Sequence, residues 1–172
     1  MNILPDIDPD DIISIEVIDH GLSTGPYGTA RRIALQILYE VDITKHPMGE
    51  VLAHQLEAVQ PNDMAREYLQ QMLQGIEAHR DEYDAMINAV SNDWTLSAMA
   101  YIDRNILRVA IYELLNNQQL AIAIIIDEAL RFCDAFGSED TARFVNGVLA
   151  GVLERYNITR PDTGSLDGEK LP

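Results

Sequence analysis

Cysteine is almost missing from this 172-residue sequence, which holds only Cys133. A lone thiol excludes an intramolecular disulfide, and without a CxxC partner it gives no sign of zinc or redox chemistry. An inert thiol in the core is the expectation. Basic residues are also scarce, with twelve Lys and Arg against 28 Asp and Glu for a net charge of −16. Because cations on phosphates supply nearly all nonspecific nucleic-acid affinity, this balance argues against such binding by the chain as a whole. Also absent is any apolar run of roughly 18 residues, the length a membrane-spanning helix needs. The opening MNILPDIDPDD carries acids where a secretory signal carries bases. A cytoplasmic protein that does not enter a membrane is expected.

Catalytic signatures are lacking too: there is no nucleotide-binding glycine loop, HExxH motif or GxSxG elbow. The histidines His20, His46, His54 and His79 are scattered, and Glu50 with His54, one helical turn apart, makes two ligands where a metal site requires three or four. Asp127–Glu128 and Glu139–Asp140 are adjacent in sequence, so on a helix they point in different directions and form no acid–base dyad. Neither an enzyme nor a bound cofactor or metal is indicated.

What is present is a hydrophobic content of 47%, ample for one folded unit at this length. Residues 1–28 hold six acids, no Lys or Arg, and the punctuation Pro5, Pro9, Gly21, Gly25, Pro26 and Gly28, which reads as an acidic arm, flexible or docked. Within it IISIEVI suits a short strand or a docking segment. Residues 157–172 read as a disordered tail. Between them, residues 29–156 retain nineteen acids and ten bases, so any RNA site has to be a local basic patch.

Apolar spacing from Thr29 onward is helical. The first helix is predicted over Ala30–Asp42, capped by Thr29, and a second carries Val51, Leu52, Leu56 and Val59 and ends at Pro61. Asn62 is placed to cap a long third helix running to Val90. Asp93 or Thr95 starts a short fourth, and Asp103 caps a fifth through Ile106, Leu107, Ala110, Ile111 and Leu114. The run LAIAIII at 120–126 exceeds strand length once Ala129, Leu130 and Cys133 are included, so it reads as a sixth helix. Gly137 stops it, Ser138 caps the next element, and Phe144, Val145, Val148, Leu149 and Val152 carry the last. About seven helices and no convincing strand predict an all-α fold, three N-terminal helices packed on four C-terminal ones.

Three segments carry a family resemblance. Residues 30–39, ARRIALQILY, resemble the opening helix of the NusB family of transcription antitermination factors; residues 106–114, ILRVAIYEL, are similar to a second signature; and IDEA at 126–129 with FGSEDTARFVNGVL at 136–149 resembles the third and most specific. Together they span roughly residues 29–155 in the family's order. The resemblance implies a non-enzymatic RNA-binding protein that pairs with the ribosomal protein NusE, recognises single-stranded boxA-type leader RNA and supports ribosomal RNA synthesis within the transcription elongation complex. Homodimerisation stays open.

Single-stranded RNA is read by cations on phosphates, aromatic faces under bases and polar groups on base edges. At matching positions the resemblance offers Arg31, Arg32 and Arg104 for phosphate, Phe144 for stacking, and Asp103 and Asp140 as acceptors for base amino groups. Each has a structural alternative: a solvated turn for the arginines, a core ring for Phe144, a helix-start charge for the aspartates. Arg108, one turn after Arg104, is expected in a structural salt bridge. The family's further arginines are replaced here by Tyr27, Gly28 and Thr29, and its usual asparagine by Asp127. With those cations lost, a protein-only scaffold that keeps the NusE surface but binds little RNA is the alternative function.

Overall fold

The computed structural model describes residues 21–92 and 94–160. Among these the chain folds as seven α-helices and one 3-10 turn, with no strand: α1 Pro26–Thr44, α2 Met48–Val59, α3 Asp63–Ala78, α4 Arg80–Val90, the 3-10 turn Leu96–Ala98, α5 Tyr101–Asn116, α6 Ile122–Phe136 and α7 Thr141–Arg155. The expected all-α class and three-on-four arrangement are what is found. Helix α1 packs on α2 and α3; α4 to α7 pack among themselves; and α5 lies against α1 and α3, joining the two groups. Ile106, Leu107, Ala110, Ile111 and Leu114 of α5 are accordingly all buried.

The long third helix is two helices. His79, with φ −116° and ψ 18°, interrupts it, although its N–H still donates to the Gly75 carbonyl and its own carbonyl accepts from Tyr83. The stripe Leu69, Met72, Leu73 and Ile76 faces α1 and α5, whereas Tyr83, Met86 and Ile87 belong to a helix packed on α5 and α7. One straight helix cannot follow both sets of partners, and His79 absorbs the change of direction where the two bundles meet. At Gly75 the α3 backbone approaches α5 so closely that a Cβ would stand 2.3 Å from the Tyr112 ring.

Several starts and stops depart from their expected residues. Helix α1 begins at Pro26, three residues before Thr29, since proline has its φ preset for the first helical position and lacks only an N–H that would be unpaired there. Asn62 caps α3 as expected, accepting from the Ala65 N–H at 2.9 Å. Asp103 does not cap α5; Ala100 occupies that place and Asp103 lies in the first turn. Of the two expected starts of the short fourth element, Asp93 falls outside the described residues and Thr95 occupies the cap position of the 3-10 turn. Ser138 does not cap α7 either: its backbone N–H donates instead to Thr141 Oγ1 at 2.9 Å.

The folded body also extends past its expected limits. Leu22 is buried in the core, Ser23 Oγ donates to Glu128, and Arg131 donates to the Gly21 carbonyl. Arg160, assigned to the tail by sequence, donates to the carbonyls of Leu114 and Asn117 and so satisfies the open C-terminal end of α5. The remainder of the predicted arm and tail, residues 1–20 and 161–172, lies outside the described residues.

Candidate nucleic-acid interface

Two arginines, Arg31 and Arg108, are buried in ion pairs and present no charge to solvent. Arg31 is 3% exposed, its Nε lying 2.8 and 2.9 Å from the two carboxylate oxygens of Glu113, with its Nη1 3.5 Å from Glu128. The Tyr68 hydroxyl donates to the same Glu113 at 2.6 Å. Burial pushes the Glu113 carboxyl up in pKa, and the Arg31 charge and the Tyr68 hydrogen bond oppose that push. Arg31, expected at phosphate, is therefore turned inward: its guanidinium holds α1 to α5 and α6 and is not presented to solvent.

Arg108 takes the structural role expected of it. Its guanidinium grips both Asp84 oxygens at 2.8 and 2.9 Å and Asp42 at 3.0 Å, while the Asn105 amide also donates to Asp42. This network ties α1, α4 and α5 together. Burial opposes the Arg108 charge, but the two carboxylates outweigh it and hold the pKa above its ordinary value.

Two accessible cations, Arg104 and Lys45, meet at the start of α5. Arg104 is partly buried, lies 4.5 Å from the centre of the Tyr101 ring, and donates through Nη2 to the Met99 carbonyl at 3.1 Å. Lys45, in the left-handed C-cap of α1, approaches the same ring at 5.9 Å. Tyr101 is 40% exposed, so two cations flank an aromatic ring that is itself open to solvent. The Nε of Arg104 and the Oδ1 of Asp103 are buried without a hydrogen-bond partner. Burial raises the Asp103 pKa, a hydrogen bond with Thr141 partly offsetting it.

Helix α5 packs against α7, where Phe144 sits one turn beyond Thr141. Phe144 is partly buried against the core, with its ring 6.3 Å from the Trp94 ring at 56°. Asp140 and Arg143 are both almost fully exposed and pair at 3.9 Å. Such a surface pair is weak, about 0–1 kcal/mol, so it leaves both groups free to exchange partners.

Arg32 faces away from Arg31, since successive helical residues are rotated by about 100°. It lines a groove of about 460 Å³ with Gln36, Tyr39, His54, Ile102 and Phe136, and makes no ion pair among the described residues. Ile102 precedes Asp103 directly, so this groove adjoins the start of α5. The structure thus gathers Arg32, Asp103, Arg104, Phe144 and Asp140 around the starts of α5 and α7 and excludes Arg31. Gly28 admits no side chain here: a Cβ at that position would stand 2.1 Å from the Ser23 carbonyl oxygen.

Sequence reading missed Lys45, Tyr101 and Trp94. A signal existed for Tyr101, three residues before Arg104 and so on the same helical face. For Trp94 it was the polar setting SNDWTLS, which cannot bury a large ring by its own periodicity. Among the described residues no group of three His, Cys, Asp or Glu side chains is placed to hold a metal ion, and no helix is long and apolar enough to cross a membrane. Cys133 is buried, which pushes its thiol up to about 12 and keeps it protonated.

Comparison with known proteins places these features in a family. The sequence model of the NusB family matches residues 28–154. Transcription antitermination protein NusB of Desulforudis audaxviator is 36% identical over 132 residues, covering 77% of this chain and 96% of its own length. That of Roseiflexus castenholzii is 37% identical over 128 residues, with 73% and 90% covered. Among solved structures, T. maritima NusB superimposes with a TM-score of 0.71 at 26% identity, over 77% of this chain and 92% of that one. A chain from a structure of the antitermination factors NusB and NusE in complex with double-stranded RNA gives 0.68 at 25% identity, over 74% and 96%.

Proposed function

The chain belongs to the NusB family, and we propose that it acts as a non-enzymatic transcription antitermination adaptor in the cytoplasm. In this reading it binds single-stranded boxA-type leader RNA together with ribosomal protein NusE and joins the transcription elongation complex during ribosomal RNA synthesis. The observation that carries the reading is the start of α5, where Arg104 and Lys45 flank the open ring of Tyr101. Cations beside exposed rings are what single-stranded RNA requires: charge for phosphates, and flat faces for bases that are not paired.

Roles within this site follow from placement. Arg104 and Arg32 serve phosphates, Phe144 serves a base, and Asp103 and Asp140 accept from base amino groups. Arg31 is reassigned to holding the helices together. The net −16 charge means that the patch works locally against a repulsive background, so affinity depends on the partner bringing further cations. Burial of Arg31 favours the protein-only scaffold as the second reading, since it removes one of the few available cations.

Titration of a labelled boxA-type RNA with the full chain, alone and with NusE, at two salt concentrations separates the two. The adaptor reading expects binding that tightens when NusE is present and weakens as salt rises. Absence of RNA binding by the NusE-bound protein at low salt, with NusE binding intact, would leave the scaffold.

A further inference from the structure

Trp94 is the only tryptophan of the chain and is 57% exposed, an unusual amount of apolar surface for the body to leave open. Its backbone is nevertheless hydrogen-bonded at both its N–H and its carbonyl. The Trp94 N–H donates to the Ser91 carbonyl at 3.0 Å, and the Ser91 hydroxyl returns a bond to the Trp94 carbonyl at 2.6 Å. Ser91 itself is buried, and two residues beyond Trp94 the Leu96 N–H is held by the Asn88 side chain at 2.9 Å. An indole that merely failed to find a place in the core would not be expected on a turn anchored from both sides.

The surroundings suit a nucleobase. Phe144 stands 6.3 Å away and tilted by 56°, so the two rings form an angled pair with Phe144 backed by the core and Trp94 open to solvent. Exposed Arg143 neighbours Phe144 in sequence. The 3-10 turn that follows Trp94 leads to Met99, whose carbonyl receives the Arg104 guanidinium. The Trp94–Phe144 pair and the Tyr101–Arg104–Lys45 group are therefore joined by one short segment of chain, residues 94–101.

We propose that Trp94 is a stacking platform on which an unpaired base of bound RNA lies, with Phe144 as the angled wall behind it. This rests on the RNA-binding reading above and extends it to a residue outside the three family signatures quoted above. Stacking is tolerant of base identity because every base has a π-face, so Trp94 contributes affinity more than sequence preference. It contributes no charge, and hence leaves the salt dependence alone.

The test uses the full chain with NusE and the same labelled boxA-type RNA, read in two ways: RNA anisotropy for binding, and tryptophan emission with the signal of NusE alone subtracted. RNA is expected to quench the Trp94 emission. Trp94→Ala is expected to weaken RNA binding roughly 5- to 100-fold, with an unchanged slope of log K against log salt, and Trp94→Phe to recover most of the loss. RNA that binds without changing the emission, and binds Trp94→Ala as tightly as the parent, overturns the platform while the RNA reading stands. Loss of NusE binding in Trp94→Ala with RNA affinity kept also overturns it, making the ring a protein contact. If the parent protein with NusE binds no RNA at all, the earlier reading fails and the platform falls with it.

Discussion

The Nε–H of Arg31 is shared between the two carboxylate oxygens of Glu113, at 2.8 and 2.9 Å, in an ion pair between side chains only 4% and 1% exposed and 82 residues apart. Taking both charges out of water is costly, and the pair is tolerated because Tyr68 and Glu128 complete the surroundings of each partner. Removing one member leaves the other buried and uncompensated. Arg31→Ala is therefore expected to destabilise the fold by about 3–5 kcal/mol, read from chemical denaturation. Arg31→Met with Glu113→Met should lose much less. A loss in the single variant no larger than an ordinary surface change would show that the pair carries no structural weight.

Arg104 is expected to act through charge at the RNA. Arg104→Gln should weaken RNA binding and make the slope of log K against log salt shallower by about 0.7, the value for one phosphate contact on a single strand. Arg32→Gln should do the same, since Arg32 is assigned to a phosphate in the adjoining groove. Melting temperatures should change little. A slope that stays the same in both variants places the phosphates elsewhere.

Asp103 gives a pH prediction. Burial raises its folded-state pKa above the ordinary 3.8, so the folded protein holds that proton more tightly than the unfolded chain. Its contribution to stability is present below pH 3.8 and is lost as pH rises through the folded value. At neutral pH the ionised carboxylate is thus a burden, and Asp103→Asn is expected to melt higher than the parent, the difference shrinking as the pH is lowered toward 4. A neutral-pH melting temperature below that of the parent would show that the carboxylate's place in the first turn of α5, where negative charge is favoured, outweighs its burial.

The acidic arm should oppose RNA electrostatically. Residues 1–20 carry all six acids of the N-terminal region and no Lys or Arg. Deleting them is expected to tighten RNA binding, most clearly at low ionic strength where screening is weak. The cut must stop before Gly21, since Leu22 is in the core and Pro26 opens α1. A longer deletion through residue 28 should lower the melting temperature as well. Equal or weaker binding by the shorter deletion at low salt would rule out competition by the arm.

Local pattern was enough to settle most of the helices. The stripes Ile33–Ile37–Leu38 and Val145–Val148–Leu149–Val152 can bury their apolar sides only as helices, and Asn62 offers a cap whatever the helix later packs against. Family signatures read in the sequence likewise fixed the family, because residue identity and order are one-dimensional properties. Other features needed the third dimension. Nothing in the dipeptide Arg31-Arg32 says which side chain turns inward; that depends on Glu113 and Glu128 arriving from α5 and α6 beneath one of them. The break at His79 has no proline or glycine to announce it at that position and follows from α3 and α4 answering to different neighbours. Trp94 becomes a candidate only when the turn at Ser91 holds it beside Phe144, fifty residues away in sequence, because a binding face is made by side chains that folding brings together and the chain order keeps apart.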